Sequence, residues 1–143
     1  MAIQQISLFL ENRTGQLAEI TNLLAQNDVD LRALSIAETS DYGIARIIAD
    51  DAEKATRILL DAGHILSKNP VQVIATADRT GGLAPILTVM AENHIAIEYM
   101  YSLFTHKGSD AYMVFRVSEE EKFISLMEKI GVTVVDAEML GIR

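Results

Sequence analysis

The 143-residue chain contains no cysteine and no tryptophan, and only two prolines. Without cysteine there is no disulfide framework and no thiol chemistry, which fits a reducing cytoplasm. No apolar run approaches the ~20 residues of a membrane helix, and no charged-then-apolar leader opens the chain. Basic residues are also in deficit. There are 12 Lys and Arg against 20 Asp and Glu, a net charge of −8 with no clustered basic surface. That argues against nucleic acid as a partner, since phosphate binding needs a concentrated positive patch. Catalytic signatures are missing too. No P-loop or GxGxxG occurs, and Gly81-Gly82 lacks the lysine that would hold a phosphate. His64, His94 and His106 stand far apart, without metal-ligand spacing. No catalytic residue, metal or cofactor is therefore expected.

What the chain does contain is a passage written twice. Asn12-Arg13-Thr14-Gly15-Gln16-Leu17-Ala18 returns 66 residues later as Asp78-Arg79-Thr80-Gly81-Gly82-Leu83-Ala84. The match continues at Ile20 and Ile86, Ala25 and Ala91, and Asn27 and Asn93. An internal repeat changes the fold expectation from one domain to two related halves. Each half is small enough to be marginal alone, so the halves should pack on each other or on a second chain.

Both halves show the same order of elements. Gln4–Leu10 alternates, with Ile6, Leu8 and Leu10 on one face, and reads as a strand. After the Asn12–Gln16 loop, residues 17–27 carry Leu17, Ile20 and Leu24 at helical spacing. Strands follow over Asp30–Glu38 and Ile44–Ala49, joined by a turn at Thr39-Ser40-Asp41-Tyr42-Gly43. Asp50 is placed to cap a helix running to Ala62, closed by Gly63, and His64–Lys68 is extended. In the second half, Val71–Ala77 is a strand and Leu83–Asn93 a helix, with Pro85 tolerable only in its first turn. Ala96–Phe104 and Ala111–Val117 are strands around a Lys107–Asp110 turn. A helix over Glu119–Ile130, with Ser118 and Glu121 spaced as a capping box, precedes a last strand at Val132–Met139. The short Ser67-Lys68-Asn69-Pro70 stretch is the expected linker, giving units at residues 1–68 and 71–143.

The pattern β-α-β-β-α-β, twice, implies an α+β fold: two ferredoxin-like units, each an antiparallel sheet with its helices on one face. Phe9, Leu34, Ile36, Tyr99, Met100 and Tyr101 are expected on the uncovered face or at pairing edges. Tyr99 and Tyr101 suit packing better than ligand stacking.

The doubled loop has the chemistry of a site for a small anionic or zwitterionic ligand. A glycine at a strand–helix junction lets a ligand approach the backbone, and first-turn N–H groups favour a carboxylate. Arg13 and Arg79 can pair with a carboxylate. Asn12 and Asp78 can accept from an ammonium group. The alternative is that these residues merely turn the chain into the helix, and that explains one copy better than it explains a doubled arginine.

The Asn/Asp-Arg-x-Gly-x-Leu-Ala loop, in a repeated β-α-β-β-α-β unit, resembles the ACT domain, and the whole chain resembles stand-alone tandem-ACT proteins. Threonine stands at 14 and 80, where many ACT loops have proline. The resemblance implies a non-enzymatic regulator that binds a free amino acid or close analogue between paired units. It also implies a homodimer, with a separate metabolic enzyme as a further partner. An alternative is a subunit that docks on such an enzyme, and a remoter one is a small ferredoxin-like enzyme. The implied ligand residues are Asn12, Arg13, Thr14, Gly15, Gln16 and Leu17 in the first loop. In the second they are Asp78, Arg79, Thr80, Gly81, Gly82 and Leu83. Ala33, Leu34, Tyr99 and Met100 are the facing strand positions. Gly82, smaller than Gln16, is expected to leave more room and to make the second loop the main site.

Overall fold

A computed structural model describes residues 2–11, 13–38 and 41–143, apart from the side chains at 105–107. Four α-helices and seven strands lie among the described residues. The chain divides into two compact units, one of residues 4–69 with Gly141–Arg143, the other of Pro70–Leu140 with residues 2–3.

The first unit runs β1 (Ile3–Glu11), α1 (Gln16–Gln26), β2 (Leu31–Glu38), β3 (Tyr42–Ala49) and α2 (Ala52–Asp61). It ends in the opening residues of β4 (Leu66–Ala77). Its sheet order is β2-β3-β1-β4, and β3 is antiparallel to both neighbours. The alternation of β1 works as expected, for Ile6, Leu8 and Leu10 enter a core with Ala45 and Ile47 of β3. Ile20 and Leu24 of α1 and Ala55 and Leu59 of α2 close it from above. Each large apolar side chain so buried contributes about 1.5–3 kcal/mol before ordering costs.

The second unit continues through the rest of β4, then α3 (Ala84–Glu92), β5 (Ile97–Lys107), β6 (Asp110–Val117), α4 (Glu120–Lys129) and β7 (Val134–Val135). Its order is β5-β6-β4-β7, all antiparallel. Ile74, Phe115, Ile86, Met90, Phe123 and Met127 form its core, with the rings of Phe115 and Phe123 5.4 Å apart. The fold is thus two ferredoxin-like α+β units.

Several repeated residues are explained by this architecture. Gly15 and Gly81 have φ of +88° and +77°, which only glycine adopts freely. Ile20 and Ile86 are both buried. Asn27 and Asn93 close their helices identically, each amide donating to the carbonyl four residues back, Leu23 at 2.8 Å and Val89 at 2.9 Å.

Other expectations are corrected. The last strand is only two residues long; after Asp136 the chain makes a 3₁₀ turn, Glu138–Leu140, because the Asp136 carboxylate accepts from Met139 N–H at 2.9 Å. Residues 67–70 are strand within β4, where a linker was expected. The cap of α2 is Asp51, which accepts from Lys54 N–H at 3.1 Å. Asp50 instead accepts from Asp30 N–H at 3.0 Å. The capping box at Ser118 does not form, and Glu119 takes the cap position without a side-chain bond. Thr39 and Ser40 lie outside the described residues. Leu34 and Met100 do not sit on the uncovered face. They pair across the sheet with Ile47 and Phe115 and share those residues' core side. Ile36, opposite Ala45, lies on that same side.

Candidate ligand site

Each repeated loop joins the end of a strand to a helix start without a side-chain cap, at Gly15 for α1 and at Leu83 for α3. First-turn amides are thereby left to solvent or to a ligand. Asn12 lies outside the described residues.

The first loop is closed by its own side chains. Arg13 donates to both oxygens of Glu19, at 3.1 and 2.9 Å, and its Nε lies 3.4 Å from Glu11. The hydrogen bond with Glu19 raises the arginine's pKa further and lowers that of Glu19. Gln16 turns inward, is buried, and accepts from Glu11 N–H at 2.6 Å. Thr14 is exposed and Leu17 half-buried.

The second loop lacks every one of those partners. Offset by 66, Ala77 stands for Glu11, Gly82 for Gln16 and Pro85 for Glu19. Among the described residues, nothing pairs with the Arg79 guanidinium or the Asp78 carboxylate. Both residues are exposed, as is Thr80. The loop backbone is nevertheless fixed. Arg79 N–H donates to Ala77 O at 3.0 Å, Gly82 N–H to Arg79 O at 3.0 Å, and Asp78 N–H to Ser109 O in the β5–β6 turn at 2.7 Å.

Gly82 does not leave room in the way its size suggests. A Cβ there would run into the carbonyl of Ala77, so the glycine is needed by the loop's own fold. Because its N–H is already bonded, the amides left for a ligand are those of Gly81, Leu83 and Ala84; Pro85 has none.

The strand residues are distributed otherwise. Ala33 is fully buried. Leu34 packs into the first core and Met100 into the second. Tyr99 is half-buried and stacks on Tyr101, centroids 6.3 Å apart. Glu11 and Glu19 were missed in the sequence. The signal for Glu19 was an acid in the first turn of a helix that follows an arginine.

The sequence model of the ACT domain pair matches residues 1–140. The chain belongs to that family. Among solved structures, this ACT domain pair is similar to protein BT0572 from Bacteroides thetaiotaomicron, at 35% identity over 99% of this chain and 96% of that one, with a TM-score of 0.90. It shares its fold with the ligand-free regulatory subunit of aspartate kinase from Thermus thermophilus, at 13% identity over 90% and 93% of the two chains, TM-score 0.66. The corresponding subunit from Thermus flavus matches at 15% identity over 90% and 92%, TM-score 0.62. No curated protein matches the sequence of this ACT domain pair. Among its described residues, no helix is long and apolar enough to cross a membrane, and no cluster of side chains is suited to hold a metal.

Proposed function

We propose that this ACT domain pair is a non-catalytic, cytoplasmic sensor of a free amino acid or close analogue, regulating amino-acid metabolism. The observation that carries the proposal is the difference between the two loops. One arginine is neutralised by two glutamates. Its repeat, Arg79, is exposed and lacks them, beside an uncapped helix start and an unpaired Asp78. A zwitterion fits that charge pattern. Its carboxylate would meet Arg79 and the amides of Gly81, Leu83 and Ala84, and its ammonium group would lie near Asp78.

A homodimer in which a strand of a second copy completes the pocket belongs to the same proposal. Docking on a separate metabolic enzyme is the second reading. It is favoured by the shared fold with the regulatory subunits of aspartate kinase from Thermus thermophilus and Thermus flavus.

A thermal-shift screen against the twenty amino acids and their branched and aromatic precursors tests the sensor reading. A ligand at 100 times its Kd adds about 2.7 kcal/mol, a shift of several degrees for a chain this size. A flat screen would leave the docking reading, which co-purification of an enzyme subunit from native extract would support.

A further inference from the structure

A hollow outside the repeated loops lies on the sheet face away from the helices of the second unit. There Ala75 occupies β4 between two neighbours. Tyr112 of β6 stands directly opposite on one side. On the other, Ala75 N–H donates to Thr133 O at 3.0 Å. A methyl group between longer residues leaves a dip, and the result is a hollow of about 530 Å³. That is the size of small-molecule pockets, which run to roughly 300–1,000 Å³.

The repeat supplies the control. Sixty-six residues before Ala75 stands Phe9. It is flanked by Ile44 opposite and makes the same backbone bond, to Ile65 O at 2.9 Å. Its ring fills the space and packs on Tyr42 at 5.2 Å. The same strand position thus makes the same outward backbone bond in both units, while the second has its central side chain cut back.

The lining defines the ligand. The floor is Ala75, Tyr112 and Val135. Asp110, two residues before Tyr112 and so on the same face of β6, supplies a carboxylate at the rim. Met139, on the 3₁₀ turn that Asp136 fixes, also lines the hollow and is 57% exposed. Thioethers adapt to varied apolar shapes. Among the described residues no cationic side chain lines the hollow, and the chain carries a net charge of −8, which favours cations over anions. We infer that the hollow over Ala75 binds a small organic cation with an apolar body, of the size of a short aliphatic amine. The inference is independent of the amino-acid reading of the loops.

Amide chemical-shift titration of the full chain tests it, with isoamylamine, isoamyl alcohol and isovalerate as matched probes. Isoamylamine should give saturating shifts at residues 75, 108–112 and 133–139, and isovalerate none. Asp110→Asn should weaken the amine about threefold to tenfold and leave the alcohol within about twofold. Ala75→Phe, which installs the residue of the other repeat, should abolish saturation by the amine. Shifts that fail to saturate, that isovalerate reproduces, or that survive Ala75→Phe would overturn the inference. If Ala75→Phe does not fold, the exposed Asp110→Asn variant decides alone, and unchanged amine affinity there overturns it.

Discussion

Arg13 donates two hydrogen bonds to Glu19, at 3.1 and 2.9 Å, across the first turn of α1. The hydrogen bond from Arg13 is the main reason that the Glu19 carboxyl titrates below the usual range, with the arginine's charge next and His64 adding a smaller pull. A depressed folded-state pKa stabilises the fold above the ordinary glutamate value, and that contribution is lost as pH falls through the lowered one. The pair is exposed, so the effect on stability is small. We expect the Glu19 carboxyl resonance in a ¹³C titration to move with a midpoint below the ordinary glutamate value, and that midpoint to rise in Arg13→Ala. A midpoint insensitive to Arg13→Ala would show that the pair does not persist in solution.

The loops should differ in function. If Arg79 receives a ligand carboxylate, Arg79→Ala loses a charge-assisted hydrogen bond worth about 1.5–3 kcal/mol, or roughly tenfold to a hundredfold in affinity. Arg13→Ala should change affinity less than threefold, because its guanidinium is already held by Glu19 and Glu11. Asp78→Ala should weaken an amino acid but not the matching des-amino acid. Calorimetry with the strongest ligand from the screen ranks the three; equal losses in both arginine variants would make the loops equivalent.

Gly82→Val should unfold the second loop rather than plug a pocket. The added Cβ meets the Ala77 carbonyl, and backbone cannot move aside as a flexible side chain can. Overpacking of this kind costs about 1–3 kcal/mol. Even Gly82→Ala should lower the urea midpoint measurably. Gly81→Ala meets no atom within 4 Å but must hold φ near +77°, at a cost of about 1–2 kcal/mol. An unchanged midpoint in Gly82→Ala would mean that the loop is not fixed as described.

The paired helix closures offer a cleaner measurement. Asn27→Ala and Asn93→Ala each remove one amide-to-carbonyl bond, at about 0.5–1.5 kcal/mol. The two sit in different units, so their costs should add within about 0.5 kcal/mol if the chain unfolds in one step. Separate transitions in a calorimetric scan would show instead that the units melt independently.

The fold was legible because duplicated residues serve backbone geometry and core. Gly15 and Gly81 take positive φ, Ile20 and Ile86 fill the cores, and the alternation of Gln4–Leu10 points Ile6, Leu8 and Leu10 into the core as it reads. What could not be read was decided by competition between neighbours. Asp50 reads as the cap of α2, but its carboxylate is taken by Asp30 N–H and the neighbouring Asp51 accepts from Lys54 N–H instead. Val132–Met139 reads as strand until Asp136 takes the Met139 amide and bends the chain. At the site, residue size misled. Gln16 looked like an obstruction to a ligand and instead serves the loop as a hydrogen-bond acceptor for Glu11 N–H. Gly82 looked like free space and is an internal steric requirement.

The bond from Asp78 N–H to Ser109 O, 2.7 Å long, gives the second loop a built-in clock. Its proton can exchange with deuterium only when the loop and the β5–β6 turn separate, so one unlabelled amide times the opening of one loop against the rest of the molecule. Any compound that steadies the loop slows that clock, and a compound that acts elsewhere leaves its rate alone.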